Sequence, residues 1–195
     1  MRKKTLLTAI VCIALFTQGL AADEPFKWKI ALVKHNQGMQ GVPLDKNGSA
    51  NMNTGDIISI QVNSEKDCYV YIVLENANGR IMPLPTLQVK AGSRREEITK
   101  GTLNPPSGQG NSQQEKFHVV TSLREITDLQ EAIDQFNREG TEINARFLRN
   151  LLKDLSDDDN DFGQPLPAMG GIRGNIQETE FSGDTVYVRT ITINY

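Results

Sequence analysis

Residues Gly55 to Pro85 read GDIISIQVNSEKDCYVYIVLENANGRIMPLP. Ile58, Ile60 and Val62 alternate with polar neighbours, the period of a strand with one buried face. Cys68, Val70, Ile72 and Leu74 repeat that period after a polar break. Asn78 and Gly79 then offer a pair suited to the positive φ of a tight hairpin turn before Ile81. The stretch predicts three successive strands in an antiparallel meander. It contains no nucleophile paired with a base, no metal-ligand cluster and no phosphate-binding loop.

Upstream, Phe26, Trp28, Ile30 and Leu32 alternate with Lys27, Lys29, Ala31 and Val33, which predicts another strand. Asn36 to Thr54 is rich in Gly, Asn and Gln without a period and is expected to be a loop. The chain opens with Arg2, Lys3 and Lys4, an apolar run from Leu6 to Phe16, and small residues around Gly19 and Ala21. That pattern predicts a secretory signal peptide over residues 1–21, because an apolar core of this length is too short to span a bilayer. Cys12 lies inside the apolar core, not after the small residues where a lipid-attachment cysteine would stand. We therefore expect an exported protein, periplasmic or secreted, with no transmembrane segment in the mature chain.

Loss of the leader, with its three basic residues and no acidic one, would take the formal charge of the 195-residue chain from −3 to −6. Such a surface argues against nucleic acid and anionic lipid, which reward clustered Lys and Arg. The remaining length suits a single domain over 22–195. Only Cys68 would remain, so packing rather than a disulfide has to hold the core.

Beyond the meander, Glu97 to Thr99 reads as a brief edge strand. Leu103 to Gln114 (LNPPSGQGNSQQ) cannot bury enough apolar surface to order itself, and Phe117 to Ser122 resumes strand alternation. Thr127 and Gln130 form a capping-box pattern at the start of a helix carrying Leu129, Ala132, Ile133 and Phe136 on one face, with Gly140 as its stop. Thr141 caps a second helix, whose stripe of Ile143, Phe147, Leu148, Leu151, Leu152 and Leu155 is expected to pack on the sheet. From about Ile176 a last strand or strand pair puts Val186 and Val188 on one face and Tyr187, Ile191 and Ile193 on the other, as a central strand does. The fold class is thus mainly β: an antiparallel β-sandwich-like domain with a two-helix insertion at about 127–155.

The succession of Gly55, Asp56, Ile57, the alternating apolar residues, Asp67 to Val73, Asn78, Gly79 and the apolar-Pro end at Met82, Pro83 resembles a bacterial domain of unknown function. That domain occurs in exported stand-alone proteins and attached to kinase-like or caspase-like catalytic domains. The likeness extends to Pro105, Pro106 and Gly108, to the Phe117 to Ser122 strand, and more faintly to the closing strand. It implies a β-sandwich-like fold used as a sensing, binding or accessory module, with no catalytic residues to carry over. This chain departs from it by the polar insertion between Gly108 and Glu115 and by the acidic run after the second helix.

A cysteine hydrolase would need Cys68 beside His35 or His118, but the strand parity of Cys68, shared with Val70 and Ile72, predicts a buried and unreactive thiol. Two His and one Cys at these spacings match no zinc set. Trp28, Tyr69, Tyr71 and Tyr187 are strand aromatics, expected in the sheet packing rather than as sugar platforms. Asp157, Asp159 and Asp161 stand at the first, third and fifth positions of a weak calcium loop. Phe162 occupies the position an EF-hand reserves for Gly, and Ala168 that of its bidentate Glu. No cofactor beyond calcium is suggested. The expected function is a non-enzymatic binding or accessory module of the bacterial cell envelope, with an envelope protein or glycan as partner. A hydrolase using acidic residues or Cys68, and a calcium-stabilised envelope protein, are the alternatives. If the aspartates bind calcium, the ion should raise the melting temperature and Asp159→Ala should abolish the rise; a melt indifferent to calcium rules the site out.

Overall fold

The computed structural model describes residues 26–35, 40–44, 48–53, 55–99, 114–158, 179–183 and 186–194. The leader, Cys12, the polar run at 103–113, Asp159, Asp161 and the start of the final segment at Ile176 lie outside these residues.

The described chain forms strands β1 (Phe26–Lys34), β2 (Gln40–Val42), β3 (Ser49–Asn51), β4 (Ile58–Ser64), β5 (Cys68–Glu75), β6 (Ile81–Pro83), β7 (Leu87–Val89), β8 (Arg94–Thr99) and β9 (Gln114–Ser122). Helices α1 (Thr127–Glu139) and α2 (Glu142–Asp158) follow, then β10 (Thr179–Gly183) and β11 (Val186–Asn194). One sheet runs β10-β1-β4-β8, with β2 also on β1; the other runs β3-β11-β9-β5-β6, with β7 also on β5. The mainly-β, sandwich-like expectation holds, with helices between β9 and β10. The pairing is antiparallel except for β3 on β11, which is parallel.

Residues of alternate parity fill two separate layers. Trp28, Ile30 and Leu32 of β1, Ile58, Ile60 and Val62 of β4, and Cys68, Val70, Ile72 and Leu74 of β5 meet Phe117, Val119, Tyr187, Ile191 and Ile193 in one buried cluster. Trp28 and Tyr187 span the two sheets edge to face, with centroids 5.1 Å apart at 70°. The opposite parity of the second sheet, Tyr71, Val73 and Val120, packs on Leu129, Ala132 and Ile133 of α1 and Ala145, Leu148 and Leu152 of α2. The architecture is sheet on sheet on helix pair. Val186 and Val188 pack against the helix-side cluster while Tyr187, Ile191 and Ile193 are in the other, as expected of a central strand.

The meander is corrected. β4 and β5 belong to different sheets and face each other across the core, and only β5 and β6 pair as a hairpin. Alternation reveals one dry face per strand, and two such faces can lie side by side in a sheet or opposed between sheets. At the crossing, Ser64 O accepts from Gly92 N–H and Glu65 N–H donates to Lys27 O, so the bend is tied to flanking segments. The expected loop after β1 contains β2 and β3, whose three residues each are too few for a period and are set by their neighbours on β1 and β11.

The helices also differ in detail. Thr127 begins α1, but no side chain caps it, and Gln130 bonds instead to Thr86 and Asp134. The buried Tyr71 hydroxyl takes the Ile126 N–H at 2.8 Å, so the sheet supplies a partner for the helix entry. Gly140 stops α1 at φ 61°, and Thr141 Oγ1 accepts from Asn144 N–H at 3.2 Å, as expected. Ile143 and Phe147 do not join the sheet-facing stripe; they remain 69% and 54% exposed. At 100° per residue they fall on the far side of α2 from Ala145, Leu148 and Leu152. No helix among the described residues is long and apolar enough to cross a membrane.

The end of β1 and the start of β4 are locked by Asp56. Its Oδ2 accepts from Lys34 Nζ at 2.7 Å and from Asn53 N–H at 2.9 Å. Burial opposes the charge, but the Lys34 ammonium and the Asn53 amide outweigh it and hold the carboxyl below its ordinary value of 3.8. Because the folded-state value is the lower one, this stabilisation is complete above the unfolded value and is lost as pH falls through the folded value. Wild-type protein should exceed Asp56→Asn in melting temperature at neutral pH, and the gap should begin to narrow near about pH 4 and shrink further as the pH is lowered. A gap that does not change with pH would show that this carboxylate does not govern the corner.

Candidate functional site

The end of β5 and the turn into β6 form one wall of a groove in the described surface. Asn76 O accepts from Gly79 N–H at 2.8 Å, while Asn76 Oδ1 takes the N–H groups of Asn78 and Arg80 at 3.1 and 2.9 Å. The loop is Ala77, Asn78 and Gly79, and Gly79 alone adopts positive φ, at 73°; Asn78 does not. This corrects the two-residue turn: a self-bonding Asn followed by a left-handed glycine makes a three-residue connection.

Asn76 N–H to Arg80 O and Leu84 N–H to Ile72 O place residues 80, 82 and 84 on the β5 side of the ladder. The backbone groups of Ile81 and Pro83 therefore point away from β5, yet both residues are buried and Pro83 has no N–H. This edge is closed to an added strand.

Across from the hairpin stands the α1–α2 joint. Between them lies a groove of about 840 Å³, whose polar lining includes Asn76, Asn78, Arg80, Asn137, Thr141 and Glu142. Phe136 and the 42%-exposed Met82 add apolar surface. Arg149 of α2 ties the two walls. Its Nη2 donates to Gly79 O at 2.6 Å, its Nη1 reaches Glu142 Oε1 at 3.2 Å, and its Nε stands 3.9 Å from Glu75 Oε1.

Behind Arg149 a row of polar side chains crosses three strands beneath α2. His118 lies directly opposite Thr190 in the β9–β11 register and diagonal to Glu75 on β5. Its Nδ1 is 3.0 Å from Thr190 Oγ1 and its Nε2 3.1 Å from Glu75 Oε2. These three residues, with Arg149, Leu152, Lys153 and Ser156, line a second cavity of about 230 Å³. Arg149 belongs to both spaces.

The other candidates fall apart in space. Cys68 is buried between the sheets, burial pushes its thiol up although Ser64 opposes the shift, and His118 faces the helices on the other side of that sheet. His35 bonds Ser59 Oγ at 2.8 Å at the end of β1. Trp28, Tyr71 and Tyr187 are core residues, and Tyr69 packs half-buried against the helix-side cluster. Asp157 falls in the last turn of α2, which runs three residues past the end expected for that helix, while Asp159 and Asp161 lie outside the described residues. Among the described residues no group of three or more His, Cys, Asp or Glu stands close enough to hold a metal ion.

Glu75, Thr190 and Arg149 carried no signal in the linear spacing. They meet through strand register and the rotation of α2, and only the alternation of β9, which turns His118 away from Phe117 and Val119, pointed towards the row.

Arg149→Ala should destabilise the fold by about 1.5 to 3 kcal/mol, the range for a hydrogen bond to a charged group, and Arg149→Lys should recover only part because it lacks the forked donor. Denaturant unfolding measures this, and a loss of a few tenths or less would mean that the clasp contributes little. A scan against protein-family models finds no match to this chain, and searches of curated proteins and of solved structures find none either.

Proposed function

We propose that this chain is an exported binding module of the bacterial cell envelope, and that it recognises a protein or glycan through the groove between the β5–β6 hairpin and the α1–α2 joint. The observation that carries the reading is the groove's composition. Amide, hydroxyl and guanidinium groups of Asn76, Asn78, Asn137, Thr141 and Arg80 offer donors and acceptors in both directions beside the apolar surface of Phe136 and Met82. A neutral polar polymer or a peptide presents matching groups. Net negative charge disfavours nucleic acid as the ligand. Export rests on the leader-like residues 1–21, and the accessory role agrees with what the resemblance to exported accessory domains implies.

Immobilised mature protein should retain a reproducible component of solubilised envelope from its host, displaced by free protein. Asn137→Arg, which fills the groove from an exposed position on α1, should abolish retention without altering the melt. Retention unchanged by Asn137→Arg would move the binding surface elsewhere. No retention by wild-type protein, with or without calcium, would end the binding reading.

A further inference from the structure

We propose that the cavity beneath α2 is an acyl-transfer site, with Thr190 as nucleophile, His118 as general base and Glu75 as the group that orients the imidazole. This activity is independent of the groove reading. As a carboxylate, Glu75 can only accept a hydrogen bond, so the 3.1 Å contact assigns the imidazole proton to Nε2. In the neutral imidazole Nδ1 is then the acceptor, and the 3.0 Å contact to Thr190 Oγ1 is one in which the hydroxyl donates. A hydroxyl hydrogen-bonded to a neutral imidazole whose other nitrogen is held by a carboxylate is the ground state of an activated oxygen nucleophile.

His118 and Thr190 sit within strands, and Glu75 at the end of β5, on a sheet packed on both faces, which limits motion of the three groups. His118 and Glu75 are 18% and 22% exposed, so the base is sheltered but reachable from the cavity. Arg149 and Lys153 line the same space and supply positive charge for an oxyanion. About 230 Å³ is room for a small acyl group, and the substrate class proposed is an ester of a short carboxylic acid.

Thr190 Oγ1 bonds to the carbonyl carbon while its proton passes to His118 Nδ1. Collapse of the tetrahedral species breaks the ester C–O bond, and the alkoxide takes that proton and leaves as the alcohol. Water then adds to the acyl group on Thr190, giving a proton to Nδ1. Release of the acid returns that proton to the threonine oxygen. No oxidant, metal or further reactant enters.

The test uses 4-nitrophenyl acetate with the whole mature protein, Thr190→Val, Thr190→Ser and His118→Gln, each checked by thermal melt. Val keeps the shape of Thr without its hydroxyl, and Ser keeps the hydroxyl. Wild-type and Thr190→Ser should release nitrophenol at least on the order of 100-fold faster than Thr190→Val, the lower range of base-assisted catalysis. Acid-quenched wild-type protein should carry one acetyl group on the peptide containing Thr190, and His118→Gln should lack it. The proposal is overturned if wild-type protein is no faster than Thr190→Val, or if the acetyl group resides on another residue.

Discussion

Strand β5 has to be dry on both sides, and the rest of the architecture follows from that constraint. Cys68, Val70, Ile72 and Leu74 require a second sheet on one side, and Tyr71 and Val73 require a helical layer on the other. Burying a side chain of this size contributes about 1.5 to 3 kcal/mol, so leaving either face wet would forfeit a sum comparable with the net stability of a domain. The hydroxyl of Tyr71 is a polar group within that layer, and the Ile126 amide at the α1 entry donates to it.

Periodicity made the core legible and left its pairing open. Ile58, Ile60 and Val62 announce a buried face, but nothing in their spacing says whether β5 lies beside them or opposite. That choice is made by β1 and β8, which pair with the two edges of β4 and leave none for β5. In α2 the apolar residues were visible, while their division between Leu148 and Leu152 on the sheet and Ile143 and Phe147 in solvent depends on how the helix is rotated. Thr127 and Gln130 fit a capping box in sequence, yet Thr86 and Asp134 compete for Gln130 and win. Long-range partners decided each of these cases.

The polar seam follows the same logic. Glu75, His118 and Thr190 are 43 and 72 residues apart in their two contacts, so no local motif joins them. A row of hydrogen-bonding groups across adjacent strands is, however, a natural place for polar chemistry where the same face of the sheet otherwise packs Tyr71, Val73 and Val120 on the helices. Arg149 couples that row to the hairpin turn, so the groove and the inner cavity share a wall and a charge.

Pairing of β1 with β10 brings Phe26 opposite Gly183 and Ile30 opposite Thr179. The first sheet therefore joins strands at opposite ends of the described chain, whereas β5 meets β6 within a few residues. Closing so long a loop costs entropy before its contacts return anything, which places the β1–β10 ladder among the slow, late steps of folding. While the chain is still emerging, β1 can already meet β4, but its other edge stays bare along Phe26 to Ile30. A chain in that state exposes an unpaired strand edge for as long as synthesis lasts, and such an edge is open to pairing with other chains until β10 arrives.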